Sequence, residues 1–325
     1  MNPIIERLLA SPEPAIRYKT RVNILGENPR GANARKLRAE IASSPRVRLL
    51  LSERNKNGEI PYHPYQKWYG AHWVLTMLAE LDYPPGDTQL IPLRERVLTW
   101  LLSPNYARWI PTIKGRARIH ASIEGNAIWY LNKLGLADER VSRLVARLLE
   151  TQWPDGGWNC DKTARGNTSS FHETIIPMRA LIADSKRTKD KHERAATKRA
   201  AEVFLTRCLF KRRRDSQIIS PRFIQLHYPA YWHYDFLFGL KVMGEGGWLR
   251  DPRCADALDL LESKRLPEGG FPAEAKYYRA SRQGIPYGRS LVEWGPTGKT
   301  RLNEFVTVDA LTVLKQAGRF NPKRG

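Results

Sequence analysis

Helical segments of two kinds alternate down this chain, and no other feature limits its fold as much. Segments 130–135, 239–244 and 313–318 close on Gly135, Gly244 and Gly318. Glycine there serves as a helix C-cap, where the backbone must turn left-handed. Segments 67–81 and 169–183 share the register without the glycine, and 14–25 reads as a first member. These segments are apolar and aromatic, whereas the stretches between them (34–53, 89–102, 138–151, 192–210 and 252–264) are more charged. The repeat is roughly fifty to sixty residues and stretches near the C-terminus. Such alternation suits two concentric layers. An inner helix is covered on one side and faces a central cavity on the other, while an outer helix shows a polar stripe to water. The expected fold is all-α, with inner helices near residues 14–25, 67–82, 119–134, 169–183, 228–243 and 302–317. Pro177 falls inside the fourth, where its missing N–H predicts a kink or an early break.

The turns between layers are also alike: Asn57-Gly58-Glu59-Ile60, Gln152-Trp153-Pro154-Asp155-Gly156-Gly157-Trp158 and Pro267-Glu268-Gly269-Gly270-Phe271. Glycine permits a tight reversal at positive φ, and the aromatic that follows plugs back onto the helix pair. The turn at 152–158, with its Gln, Asp, Gly-Gly and Trp, resembles the QW repeat of the squalene and oxidosqualene cyclase superfamily; the copies at 266–271 and 57–60 are degenerate and vestigial. Protein prenyltransferase β-subunits share such turns. The resemblance implies a single α6–α6 toroid over residues 1–325, with a loop insertion at about 274–300. The catalytic motifs do not carry over. No DxDD is present, Tyr234-Asp235-Phe236 and Ala257-Leu258-Asp259 being the nearest stretches, and DDxxD is missing. Cys160, Asp161 and His172 imitate the prenyltransferase zinc ligands only with poor spacing.

Composition sets the outer limits. Lys+Arg number 54 against 33 Asp+Glu, a formal charge of +21, and mean hydropathy is -0.52. Disorder throughout, a disulfide scaffold and a spanning helix are excluded. The start of the chain, with Glu6 in its only apolar stretch, does not read as a signal peptide. Cys160, Cys208 and Cys254 are far apart and form no CxxC, which suits a reducing, cytoplasmic setting. Basic runs at 186–191 and 211–214 read as ends of a solvated helix, with peripheral contact to an acidic membrane surface as an alternative. No nucleic-acid signature accompanies them.

The seven histidines are His63, His72, His120, His172, His192, His227 and His233, and all but His192 fall at or just before the start of an inner helix. Register places His72, Glu124, His172, Glu173, His233, Asp235 and Glu304 at one depth. They are therefore the candidate catalytic residues, expected as a ring around one end of the cavity. Histidine beside carboxylate supplies acid and base near neutral pH. The same ring could ligate a divalent metal, although no HExxH-type spacing calls for one. The structural alternative is helix capping and mutual hydrogen bonding, the role expected of Ser169 and Ser170.

Aromatic residues lie at the same level. Trp68, Trp73, Tyr231 and Trp232 are candidate substrate contacts, as cation–π faces, carbohydrate platforms or plain core. Segment 274–300 is too long for a connector, and its Arg279 and Arg282 are candidates to meet an anionic group at the cavity mouth. The function expected is therefore an enzyme acting in the central cavity on a small molecule, isoprenoid-like or otherwise largely apolar. The alternatives are a hydrolase or lyase on a polar substrate, and a non-catalytic binding toroid.

Overall fold

A computed structural model describes residues 2–281 and 288–323. The described chain is 51% helix and 4% strand. Its α-helices are α1 (Pro3–Leu9), α2 (Pro14–Lys19, continued by a π turn Thr20–Ile24), α3 (Ala32–Ala42), α4 (Pro45–Leu50), α5 (Ala71–Glu80), α6 (Ile91–Leu101), α7 (Pro104–Ala107), α8 (Ala121–Lys133), α9 (Glu139–Thr151), α10 (Phe171–Thr188), α11 (Lys191–Leu205), α12 (Phe236–Gly246), α13 (Ala255–Ser263) and α14 (Glu304–Gln316). Two-residue strands pair Thr112–Ile113 with Arg116–Ala117, and Arg279–Ala280 with Arg289–Ser290. No helix among the described residues is long and apolar enough to cross a membrane.

The two kinds of helix differ in burial as their sequences predict. In α9 only Val141, Leu144, Val145 and Leu148 are buried, an i, i+3, i+4, i+7 stripe. In α5 every residue from Ala71 to Ala79 is buried, and in α8 every residue from Ala121 to Leu131. Helix α5 packs on α8, α8 on α10, α10 on α12, α12 on α14, and α14 on α2, while α6, α9, α11 and α13 each pack on the member beside them in sequence. Residues of α2 with its π turn, α5, α8, α10, α12 and α14 together line one cavity of about 430 Å³.

Four expectations need correction. The fourth inner helix runs on through Pro177 to Thr188, so the early break, one of the two outcomes expected there, does not occur. Gly125 explains the tolerance: a Cβ there would lie 2.7 Å from the Pro177 nitrogen and 2.9 Å from the Ile176 carbonyl carbon, so the backbones of α8 and α10 meet at this point. That close packing holds the turn from which proline removes a hydrogen bond. The fifth inner helix begins at Phe236 instead of near 228, because Asp235 accepts the Phe238 N–H at 2.7 Å and caps it. Helix α5 likewise starts at Ala71, after a turn in which a Cβ on Gly70 would meet the Pro64 carbonyl at 2.4 Å. The outer stretch 34–53 is two helices, since Ser44 caps α4 and Pro45 occupies its first turn.

Segment 274–300, as far as it is described, packs onto the inner-helix starts. Glu274 accepts from Leu226 N, Tyr277 O accepts from Trp68 Nε1 at 3.0 Å, and Trp294 is fully buried.

Candidate functional site

The seven candidate residues fall into separate groups at the N-terminal ends of the inner helices. His72 is completely buried in a cage of Tyr65, Trp73, Trp100 and Tyr130. Burial pushes its pKa down to about 3, so it stays neutral, with Nδ1 3.4 Å from Tyr130 Oη. Glu304 stands apart, accepting from Ser11 Oγ at 2.7 Å. Trp68 stacks on Tyr231 with ring centroids 4.0 Å apart, and Trp73 meets both edge-on. All three are buried against one another and belong to the core.

A second group gathers on the loop before α12. His227 Nδ1 lies 2.9 Å from Asp235 Oδ2, and His172 Nδ1 accepts from Tyr234 N at 3.1 Å. His233 is sandwiched between Trp232 and Tyr277, each ring centroid 4.0 Å away. Burial and then the neighbouring His227 and His172 push its pKa down to about 2. Lys67 Nζ sits 4.9 Å from the Trp232 ring. Arg279 is exposed on its short strand, and Arg282 lies outside the described residues.

The third group is the most chemically varied. The turn at 152–158 builds it. Gln152 Nε2 donates to Gly156 O and Ala196 O, Trp158 is buried with Nε1 on Leu148 O, and Asp155 accepts from Ser169 N and Oγ. Side chains at Gly156 and Gly157 would collide with Arg199 O at 2.2 Å and Thr174 Oγ1 at 2.3 Å. The turn thus fastens α9 to α10 and α11, and fixes Cys160 two residues beyond Trp158. Cys160 meets Glu173 on α10 and His120 at the start of α8. Their donor atoms all lie within 4.8 Å of one another, with His120 Nδ1 3.5 Å from Glu173 Oε1. Glu173 Oε2 accepts from Ser122 N at 2.8 Å. Burial opposes ionisation of Glu173, but His120, the Ser122 N–H and Cys160 outweigh it and hold the carboxyl below its usual range. Burial and the Glu173 charge push the Cys160 thiol up to about 12.

Behind Glu173, buried Glu124 pairs with Arg147 of α9 at 3.1 Å. Burial raises its pKa to about 7, against the pull of Arg147 and Tyr106. The segments that lead to His120 and away from Cys160 are basic. Residues 112–117 pack on the loop after the turn through Trp153 Nε1 to Ala117 O and Arg118 to Gly166 O. Lys114 is exposed on the first of these segments, Lys162 and Arg165 on the second, and Arg108 just after α7. Beside them Trp109 is 70% exposed, with Lys162 Nζ 5.4 Å from its ring.

Sequence register had brought Glu124 and Glu173 to one depth. His120 was visible as a helix-start histidine four residues before Glu124, and Cys160 as a residue just past the turn. Arg147 and Tyr106, from α9 and α7, gave no signal.

The cavity of about 430 Å³ opens at the opposite, C-terminal ends of the inner helices. Arg179 there forks onto Glu245 at 2.9 Å, bonds Glu80 and stacks on Trp129 at 3.8 Å. Lys241 bridges Glu80 and Asp309 at 3.0 and 2.8 Å. Of the seven candidates none lines this cavity, and only Asp235 lines a small void of about 20 Å³ that also touches Glu80, Lys241 and Asp309. No family model, curated protein or solved structure matches the chain.

Proposed function

We propose that the chain is an α6–α6 toroid enzyme that handles a small anionic substrate by acid–base chemistry at the His120–Cys160–Glu173 mouth. One observation carries the reading. A buried carboxylate, fixed by the Ser122 N–H, turns its free oxygen toward an exposed histidine and a half-buried thiol carried by basic segments. His120 is the group able to move a proton at the surface, and Glu173 orients it. Glu124, near neutrality in its pKa, is the second proton store behind them. Arg108, Lys114, Lys162 and Arg165 attract an anion, and Trp109 offers an apolar face beside them. This geometry favours the polar alternative over an isoprenoid-like substrate, because Trp68, Trp73 and Tyr231 are spent on each other and the large cavity is lined with charge.

The test is a turnover screen over small phosphate, sulfate and carboxylate esters, comparing the parent chain with H120A and E173Q. Folding is checked by circular dichroism. Turnover should fall at least a hundredfold in both folded variants, and K162A with W109A should raise KM while leaving kcat in place. Parent-level turnover in folded H120A sinks the reading.

A further inference from the structure

We infer that His120, Cys160 and Glu173 hold one divalent transition-metal ion, zinc by the nature of its donors. The inference deepens the reading of this mouth as a reaction centre and rests on the same cluster. Among the described residues these are the three His, Cys, Asp or Glu side chains whose donor atoms approach within 4.8 Å of one another. A tetrahedral zinc with bonds of about 2.0 Å to nitrogen or oxygen and 2.3 Å to sulfur separates its ligand atoms by roughly 3.3–3.5 Å. His120 Nδ1 and Glu173 Oε1 already stand 3.5 Å apart. Closing the remaining gap needs only rotation of the Cys160 side chain, which is half-buried, and of the exposed His120 ring.

The arrangement is prepared from behind, as metal sites are. Glu173 Oε2 is held by Ser122 N at 2.8 Å, so the carboxylate presents Oε1 alone to the mouth. The Cys160 backbone is pinned on both sides: Asn159 O accepts from Ile119 N at 3.2 Å, and Asn159 Oδ1 from Asp161 N at 2.8 Å. The Ile119 bond also ties the cysteine loop to the segment that delivers His120. A thiolate with an imidazole selects zinc over magnesium or calcium, which prefer all-oxygen sites. Three protein ligands leave a fourth position open to water or an incoming anion.

The bland account is a hydrogen-bonded cap, with Glu173 closing the start of α8 and the thiol and imidazole merely near it. Metal content separates the two. The purified chain is stripped with a chelator, dialysed, and titrated with zinc or cobalt(II). About one equivalent should bind, and the cobalt form should show a near-ultraviolet thiolate-to-cobalt charge-transfer band. C160S should abolish that band and weaken zinc at least tenfold, as should H120A. E173Q should weaken it ten- to a hundredfold. If E173Q fails to fold, C160S still decides, since its half-buried side chain leaves the core intact. Less than a tenth of an equivalent bound, or a cobalt spectrum unchanged by C160S, overturns the inference. Turnover by a chain that binds less than a tenth of an equivalent defeats the metal and leaves the acid–base reading standing. Zinc lost in folded H120A with turnover unchanged defeats the reaction centre and leaves the metal site standing.

Discussion

The two ends of the inner helices carry comparable numbers of polar side chains and treat them in opposite ways. At the C-terminal end Arg179, Lys241, Glu80 and Asp309 satisfy one another in a closed network, and none has a buried side-chain nitrogen or oxygen without a partner. Cations there also sit at the negative ends of helix dipoles. At the N-terminal end His72 Nε2, His227 Nε2, His233 Nδ1 and Trp232 Nε1 are buried without partners among the described residues. A buried orphan costs free energy, and the mouth at His120 brings a thiol and an imidazole to one carboxylate with room for more. The larger cavity is thus the more completely satisfied end. Chemistry is better sought where polar groups remain unmet than where a cavity is lined by paired charges.

The sharpest way to break this contrast is at Arg179. R179A leaves the carboxylates of Glu80 and Glu245 without their shared guanidinium, with Lys241 and Lys19 as the cations still near Glu80, so it should cost about 3–5 kcal/mol by thermal or denaturant unfolding at pH 7. A loss under about 1 kcal/mol means the network is not holding this end together.

The alternation of wholly buried and one-faced helices is legible because burial on all sides and burial on one face leave different periodicities, as α5 and α9 show. The start of α12 was not, because Asp235 takes a capping role that register alone does not reveal. The expected ring fails for a related reason. Equal depth does not fix direction, and neighbours on a helix point about 100° apart. His172 therefore turns to the loop before α12 and Glu173 to the mouth at His120, while His72 turns outward to Trp100 of α6. Arg147 and Tyr106 come from elements outside the inner ring, where no inner-helix register applies.

Glu124 offers a smaller test from the strained end. Its folded pKa, about 7, lies above the ordinary 4.5. A raised carboxyl contributes stability that is present below the unfolded pKa and is lost as pH rises through the folded one. E124Q should therefore match the parent near pH 4 and exceed it above pH 7 by on the order of 3 kcal/mol, while turnover falls. The measurement is unfolding free energy from pH 4 to 8. An E124Q chain less stable than the parent at pH 8 shows that Arg147 carries a net favourable pair.

His72 gives the smallest effect within reach and the opposite slope. Its pKa falls from the ordinary 6.5 to about 3 because the ring is wholly buried among Tyr65, Trp73, Trp100 and Tyr130. The unfolded chain therefore binds a proton between those values that the folded chain refuses. A depressed pKa contributes stability present above the unfolded value and lost as pH falls toward the folded one. By pH 5 the loss is on the order of 2 kcal/mol. H72L keeps an apolar group in the cage and removes the titration, so its unfolding free energy should fall less between pH 7 and 5 than the parent's. The aromatic cage also predicts that turnover at pH 7 survives in H72L, since the ring faces α6 and not the mouth at His120. An acid limb as steep in H72L as in the parent means that other buried groups carry the loss, with His233 the first to examine, because its pKa is lowered to about 2 by burial and by His227 and His172.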